Sequence, residues 1–492
     1  MRKAVIGAAM AFTLAGCTMG PDYVRPEVDA PDTWRLDYAA AQDVANAEWW
    51  RRFEDPVLDD LIETALRENK DLRIAASRVE QFAALVDRTR SGFYPQVGYD
   101  VLGARERASE VGPVALPSGV DPISDTYRAT INVGWELDVW GRLKRATEAS
   151  RADLLASEEG RRTVILSLVS SVATSYITLL SLDRQLEIAR RTLATRAESV
   201  KLFETQFKGG VVGELTVAQI RSEYWQAAVA IPPLERDIAQ LENSLSVLLG
   251  RNPGPIPRGT KLNRLARPDV PAALPSELLN RRPDLRQAEA NLIAANANIG
   301  VVRAAYFPSI SLTGLLGTVS GAFGDLFSSG SEVWGIGAGA FGPIFTGGRL
   351  RADVRITEAQ QQELLTDYQR AIQTAFREVD DALVATQKAR EELAAQNQRV
   401  SALSDYSRLA KIRYDNGYTS YIEVLDAERS LFDSQLRAVQ AQNNFYVGLI
   451  NTYKAMGGGW VDKAEEIATP PPPADDVPEP QTTSPESQPV EP

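Results

Sequence analysis

The sequence predicts a mostly α-helical chain that also supplies strands to a membrane β-barrel, built from two copies of one unit. Three observations carry this. First, the chain repeats itself. Asn69-Lys70-Asp71-Leu72-Arg73 returns as Arg282-Pro283-Asp284-Leu285-Arg286 at an offset of 213, which also sets Arg90 on Arg303 and Phe93-Tyr94-Pro95 on Tyr306-Phe307-Pro308. An offset of 207 then sets Gly141-Arg142-Leu143 on Gly348-Arg349-Leu350, Phe207 on Tyr414, Gly210 on Gly417 and Gly250 on Gly457. Second, Gly141 to Phe207 and Gly348 to Tyr414 are proline-free and dense in Leu, Val and Ala. About 65 helical residues span roughly 100 Å, far more than a globular domain requires. Third, two stretches in each half alternate apolar and polar residues with a period of two.

In chain order, Met1 to Gly16 reads as an export signal. Arg2-Lys3 is its charged end, Ala4 to Leu14 its apolar run, and Leu14-Ala15-Gly16-Cys17 the cleavage box of a bacterial lipoprotein. The apolar run is too short to span a bilayer. Cys17, the only cysteine, is the expected lipidation site. Thr18 follows it instead of Asp, which by lipoprotein habit directs the protein to the outer membrane. After the signal no apolar run of about 20 residues is read, so no spanning helix is expected.

Each half, 69–250 and 282–460, reads helix, two strands, long helix, turn, helix. The strands fall in 95–140 and 308–345, the long helices at 141–207 and 348–415, and the returning helices at 215–249 and 420–456. After Pro95, Val97, Tyr99 and Val101 alternate with Gln96, Gly98 and Asp100. Tyr127, Ala129, Ile131, Val133, Trp135, Leu137 and Val139 then alternate with Arg128, Thr130, Asn132, Gly134, Glu136 and Asp138. Ile310, Leu312 and Gly314 do the same in the second half, as do Trp334, Ile336, Ala338 and Ala340 among glycines. This is the dyad pattern of strands with lipid on one side and water on the other. Four strands cannot close a barrel, and open edges in hydrocarbon cost several kcal/mol per unpaired backbone group. If these strands lie in a membrane and are not the edge of a soluble sheet, several chains must pool them.

The helices before the strands cover about 23 residues and those after the turns about 35, so two shorter helices stacked along one long helix is the economical packing. Pro232-Pro233 should break or kink the first returning helix. The segment 251–281 opens with six prolines between Arg251 and Pro275 and reads as an irregular connector. The segment 461–492 reads as a disordered, acidic, proline-rich tail.

The stretch Arg413–Ser430 is a tight helical hairpin, turning at Asn416-Gly417. Behind the turn, Tyr418, Leu425, Phe432, Val439, Tyr446 and Tyr453 recur every seven residues, the spacing of a coiled-coil seam. Glu423 and Asp426 are three apart on one face, turned away from that seam.

Composition excludes much. With no histidine and one committed thiol, histidine-based metal sites and the Ser-His-Asp and Cys-His nucleophile arrangements are ruled out. No cofactor is expected beyond the covalent lipid, and no enzyme activity. A net charge of -12 without a basic block argues against nucleic acid. Gly337-Ala-Gly-Ala-Phe-Gly342 matches a dinucleotide glycine pattern, but Pro343 stands where its helix would start. Gly254 to Lys261 lacks a proper phosphate loop, so energy for any transport must come from elsewhere.

The chain resembles outer-membrane efflux ducts of the TolC type, in the NodT/OprM branch of lipoproteins that serve resistance–nodulation–division pumps. The resemblance covers nearly all of the mature chain except its tail. It rests on Cys17-Thr-Met-Gly-Pro-Asp-Tyr-Val-Arg-Pro26, Trp49-Trp50-Arg-Arg-Phe-Glu-Asp-Pro56, Leu278-Leu-Asn-Arg-Arg-Pro-Asp-Leu285, Arg303-Ala-Ala-Tyr-Phe-Pro-Ser309, the hairpin above, and Tyr453-Lys-Ala-Met-Gly-Gly-Gly-Trp460. It implies a homotrimer whose strands form a twelve-stranded barrel over a long helical tunnel, with 17–68 as lipidated segment and equatorial region. It implies a periplasmic adaptor and an inner-membrane pump as partners. Carried over by position, Glu423 and Asp426 fall on acidic rings at the periplasmic constriction, with Ile422 as an apolar ring. Gly210, Gly213, Tyr414 and Gly417 fall on the turns that meet the adaptor. Thr216 and Thr419 stand where some relatives carry charged locks. A duct for type I protein secretion and a non-conducting lipid-anchored coiled-coil scaffold are the alternatives.

Overall fold

A computed structural model describes residues 18–28, 31, 34, 48–110, 117, 119–268, 275–457 and 460–468. Cys17, the signal and the segment after Ala468 lie outside the described residues. The first half contains α1 (Pro56–Glu68), α2 (Lys70–Arg90), β1 (Gln96–Arg107), β2 (Ile123–Leu137), α3 (Arg142–Lys208) and α4 (Glu214–Leu248). The second contains α5 (Pro275–Arg281), α6 (Pro283–Ala304), β3 (Ser309–Ser320), β4 (Glu332–Phe341), α7 (Arg349–Asp415), α8 (Tyr421–Ala455) and α9 (Trp460–Ala468).

Helix starts follow local chemistry. Asp55 accepts from Val57 N at 2.9 Å and caps α1, with Pro56 at the first helical position. Asn69 caps α2 through Leu72 N at 3.0 Å. The repeat is visible in the backbone as well as in the letters. The glycine pairs 141 and 348, 210 and 417, and 250 and 457 all have positive φ. A Cβ at Gly250 would lie 2.1 Å from the Glu68 carbonyl oxygen, and one at Gly457 would lie 2.4 Å from Arg282 Cγ. The chain therefore folds back at equivalent points, against the start of its own half.

The four strands form one antiparallel sheet in sequence order, leaving β1 and β4 as open edges. Register decides which residues share a face. Tyr99 opposes Ile131, Ile131 opposes Leu316, and Leu316 opposes Trp334. The next row joins Val97, Val133, Gly314 and Ile336. One face is thus apolar across all four strands, and in the single chain Tyr99 is 85% and Ile336 86% exposed. The other face carries Asp100 paired with Arg128 at 2.7 Å and Glu136 holding Arg142 through both carboxylate oxygens. The Gly337–Gly342 pattern runs through β4, so those glycines are mainly strand residues. At the foot of the sheet Trp135 donates its indole N–H to the Phe93 carbonyl, and Trp140 stacks on Phe307 at 4.7 Å.

The two 67-residue helices, α3 and α7, form the long axis. Helix α3 packs against α1, α2, α4, α6, α8 and α9. The main core lies midway along it, where Trp49, Trp50 and Phe53 meet Val169, Val172, Tyr176, Tyr446 and Tyr453. Trp49 stacks on Tyr453 at 5.1 Å, and Tyr176 donates to the buried Asp55 at 2.9 Å.

Four expectations need correction. Helix α3 does contain a stretch long and apolar enough to cross a membrane, of which 61% is buried. Residues 163–182 are uncharged, but Ile165, Val169, Val172, Ala173 and Ile177 enter the core, and Ser170 returns its hydroxyl to the Leu166 carbonyl. Helix α4 runs unbroken through Pro232 and Pro233. Both prolines are exposed in the single chain, as is Val229, whose carbonyl lacks its Pro233 donor. The tail does not begin at 461. Helix α9 buries Val461 and Ala464, and Glu465 pairs with Arg161 and Arg162 at 3.2 and 2.9 Å. Tyr418 sits in the turn, 78% exposed, whereas the five later residues of its heptad row are buried.

Trp49→Ala removes the centre of this core and should cost about 3–5 kcal/mol. An earlier thermal transition by circular dichroism is the expected readout; an unshifted transition would place the stabilising core elsewhere.

Candidate functional site

The residues singled out by sequence gather at the two hairpin turns. Gly210 and Gly417 adopt φ of 73° and 74°, with open space where a Cβ would stand. Gly213 and Ser420 are extended residues that start α4 and α8, and the N–H groups of Thr216 and Glu423 return to their carbonyls at 3.1 and 3.2 Å. The hairpins pack together through aromatic rings. Phe203 of α3 meets Tyr421 of α8 with centroids 4.2 Å apart, and Tyr414 packs edge-on against Tyr421 at 4.9 Å. Ile220 and Leu425 complete the cluster.

Ile422, Glu423 and Asp426 lie on the first turns of α8. Ile422 is exposed. The Glu423 carboxylate accepts from Arg413 Nη1 at 3.3 Å and from the Thr419 hydroxyl. Thr419 is therefore engaged, whereas among the described residues Thr216 has no side-chain partner. Asp426 pairs with Arg429 at 2.8 Å. Partial desolvation, then the Asp426 carboxylate, push the neighbouring Tyr406 phenol up.

A second layer of charge, one step further from the turns, escaped the sequence reading. Arg196 of α3 is buried, lies 3.0 Å from Glu223 of α4 and stacks over the Phe432 ring of α8 at 5.3 Å. Arg429 reaches the same Glu223 from α8 at 3.9 Å. The chain Asp426–Arg429–Glu223–Arg196–Phe432 links the hairpins. Arg196 and Glu223 are nearly equidistant in sequence from Gly210, which was the available signal. Burial lowers the Arg196 pKa and raises that of Glu428. Glu428 faces Lys411, Arg196 and Glu223 beside a cavity of about 230 Å³.

The model of the outer membrane efflux protein family matches residues 61–251 and 274–458. This chain belongs to that family. Its place is the outer membrane and its role is in efflux. A probable efflux pump outer membrane protein, TtgC of Pseudomonas putida, is 39% identical over 472 residues, 94% of this chain and 97% of that protein. A probable outer membrane lipoprotein, SilC of Salmonella typhimurium, is 37% identical over 92% of this chain and 97% of its own length. Among solved structures, the open state of the Neisseria gonorrhoeae MtrE outer membrane channel is 32% identical with a TM-score of 0.81, covering 90% of this chain and 99% of that one.

Because burial raises the Glu428 pKa, the carboxyl favours the folded state when protonated. That contribution is full below the ordinary carboxylate range and is lost as pH rises through the raised value. Glu428→Gln should therefore raise the thermal midpoint at about pH 7 and leave it unchanged at about pH 3. Scanning calorimetry across that range checks this, and a variant that tracks wild type at every pH refutes it.

Proposed function

We propose that the protein is the passive exit duct of a tripartite efflux pump, a homotrimer carrying small molecules from the periplasm to the exterior. The observation that carries this reading is the open four-stranded sheet with an apolar outer face. In hydrocarbon the free backbone groups along β1 and β4 need partners. Pairing β4 of one copy with β1 of the next satisfies both edges, and three copies make a closed barrel of twelve strands. The long helices of three copies continue it as a tunnel. A lipid on Cys17 adds an anchor, in keeping with the lipoprotein name of SilC. The energy comes from an inner-membrane resistance–nodulation–division pump, joined through a periplasmic adaptor at Gly210, Gly213, Tyr414 and Gly417.

Gating lies at the turns. Three copies of Glu423 and Asp426 around a narrow axis repel one another and attract cations, and Ile422 narrows the passage. Arg413, Thr419 and Arg429 temper that repulsion, while the Phe203–Tyr421 contact and the Arg196–Glu223 pair hold the hairpins inward. An adaptor that binds the outward arrangement more tightly shifts the equilibrium open.

Planar-bilayer conductance of the purified protein tests this. Wild type should conduct poorly and be blocked by divalent cations, and Glu423→Ala/Asp426→Ala should conduct well and escape block. Failure of both to form pores would sink the duct reading. Equal conductance would keep the duct and move the constriction, with Ile422 next in line.

A further inference from the structure

The two halves differ at one corner where the repeat sets them side by side. In the second half Arg303, at the end of α6, pairs with Glu358 of α7 at 2.8 Å. The offsets place Arg303 on Arg90 and Glu358 on Arg151. In the first half the same corner therefore holds two arginines. Arg90, Arg151 and Lys144 line one open cavity of about 500 Å³, with Phe93, Tyr94 and Glu148 around it. Glu148 is engaged by Arg145 at 2.8 Å. The Lys144 ammonium donates to the Thr18 hydroxyl at 3.2 Å. Among the described residues, none of the three cations has a carboxylate partner. Like charges in one half-enclosed site repel, and an external anion placed among them is stabilised.

The position of the cavity selects the anion. Thr18 is adjacent to the lipidation position Cys17, and Gly141 closes on it so tightly that a Cβ there would sit 3.0 Å from Thr18 Cα. Met19 N donates to the Trp140 carbonyl at 3.2 Å. The chain leaving the acyl anchor thus passes the rim of the cavity at the foot of β2. Exposed Phe93 and Tyr94 and the Trp140–Phe307 stack lie at the same level, as in the aromatic girdle at a membrane interface.

We propose that Arg90, Lys144 and Arg151 form a binding site for the phosphate of a phospholipid headgroup in the periplasm-facing leaflet. The site rests on the membrane reading above. It is asymmetric, present in the first half and neutralised in the second by Glu358.

Native mass spectrometry of the full mature protein in detergent, titrated with phosphatidylglycerol or with diacylglycerol, tests it. Wild type should retain phosphatidylglycerol and not diacylglycerol, which lacks the phosphate. Arg151→Glu rebuilds the ion pair of the second half. It should weaken phosphatidylglycerol binding about tenfold or more without lowering the thermal midpoint, and Arg151→Lys should keep binding. Equal retention of phosphatidylglycerol by wild type and Arg151→Glu overturns the proposal, as does equal retention of the two lipids by wild type. Inorganic phosphate that binds as tightly as the lipid and displaces it would make free phosphate the ligand and overturn the headgroup assignment. Conductance of the same preparation carrying Glu423→Ala/Asp426→Ala separates the two readings: a conducting protein with no lipid preference removes this site alone, and one that forms no pores removes the duct.

Discussion

An open sheet edge in hydrocarbon is the constraint from which the rest of the structure follows. Strands β1 and β4 leave rows of backbone donors and acceptors without partners, and one face of the sheet between them carries an exposed apolar band through Tyr99, Ile131, Leu316 and Trp334. In water such a surface invites aggregation, and in lipid its free edges are too costly to leave open. The stable resolution is pairing with copies of the same chain. That fixes how the helices beneath must stand, because each hairpin of strands runs directly into a long helix. The joints are stiff: Glu136 holds Arg142 across the strand–helix junction, and the Trp135 and Trp140 indoles donate to the Phe93 and Pro308 carbonyls.

The duplication was legible because it is written in residues with few substitutes. Glycines at 141, 210 and 250, and again at 348, 417 and 457, occupy backbone that a side chain would strain, so the letters and the turns coincide. The alternating strands were legible for a similar reason, since a sheet with lipid on one face must keep a period of two. The four-stranded order and the long helices follow from these two patterns.

Other features depend on partners far away in sequence. The uncharged stretch 163–182 has the composition of a membrane span, and only the presence of Trp49, Tyr446 and Tyr453 beside it makes it a protein core. Helix α9 is too short to announce itself, and its order comes from Arg161 and Arg162 on α3. At the turns, Glu423 and Asp426 could be placed on one helix face. Asp426 pairs with Arg429 three residues on in the same helix, and Arg413 reaches Glu423 across one turn, but the buried Arg196 behind them depends on how two hairpins meet, which spacing within one helix does not encode.

The repeat also has a consequence for symmetry. The positions of Glu423 and Asp426 correspond in the first half to Thr216 and Gln219, and Val439-Gln440 stand where the first half has Pro232-Pro233. Three such chains in a ring present six hairpins of similar outline but only threefold chemistry. A partner ring of six identical subunits would fit the outline, yet its alternate subunits would meet different side chains. Such a partner must bind in two modes, or bind at three places and merely rest at the other three.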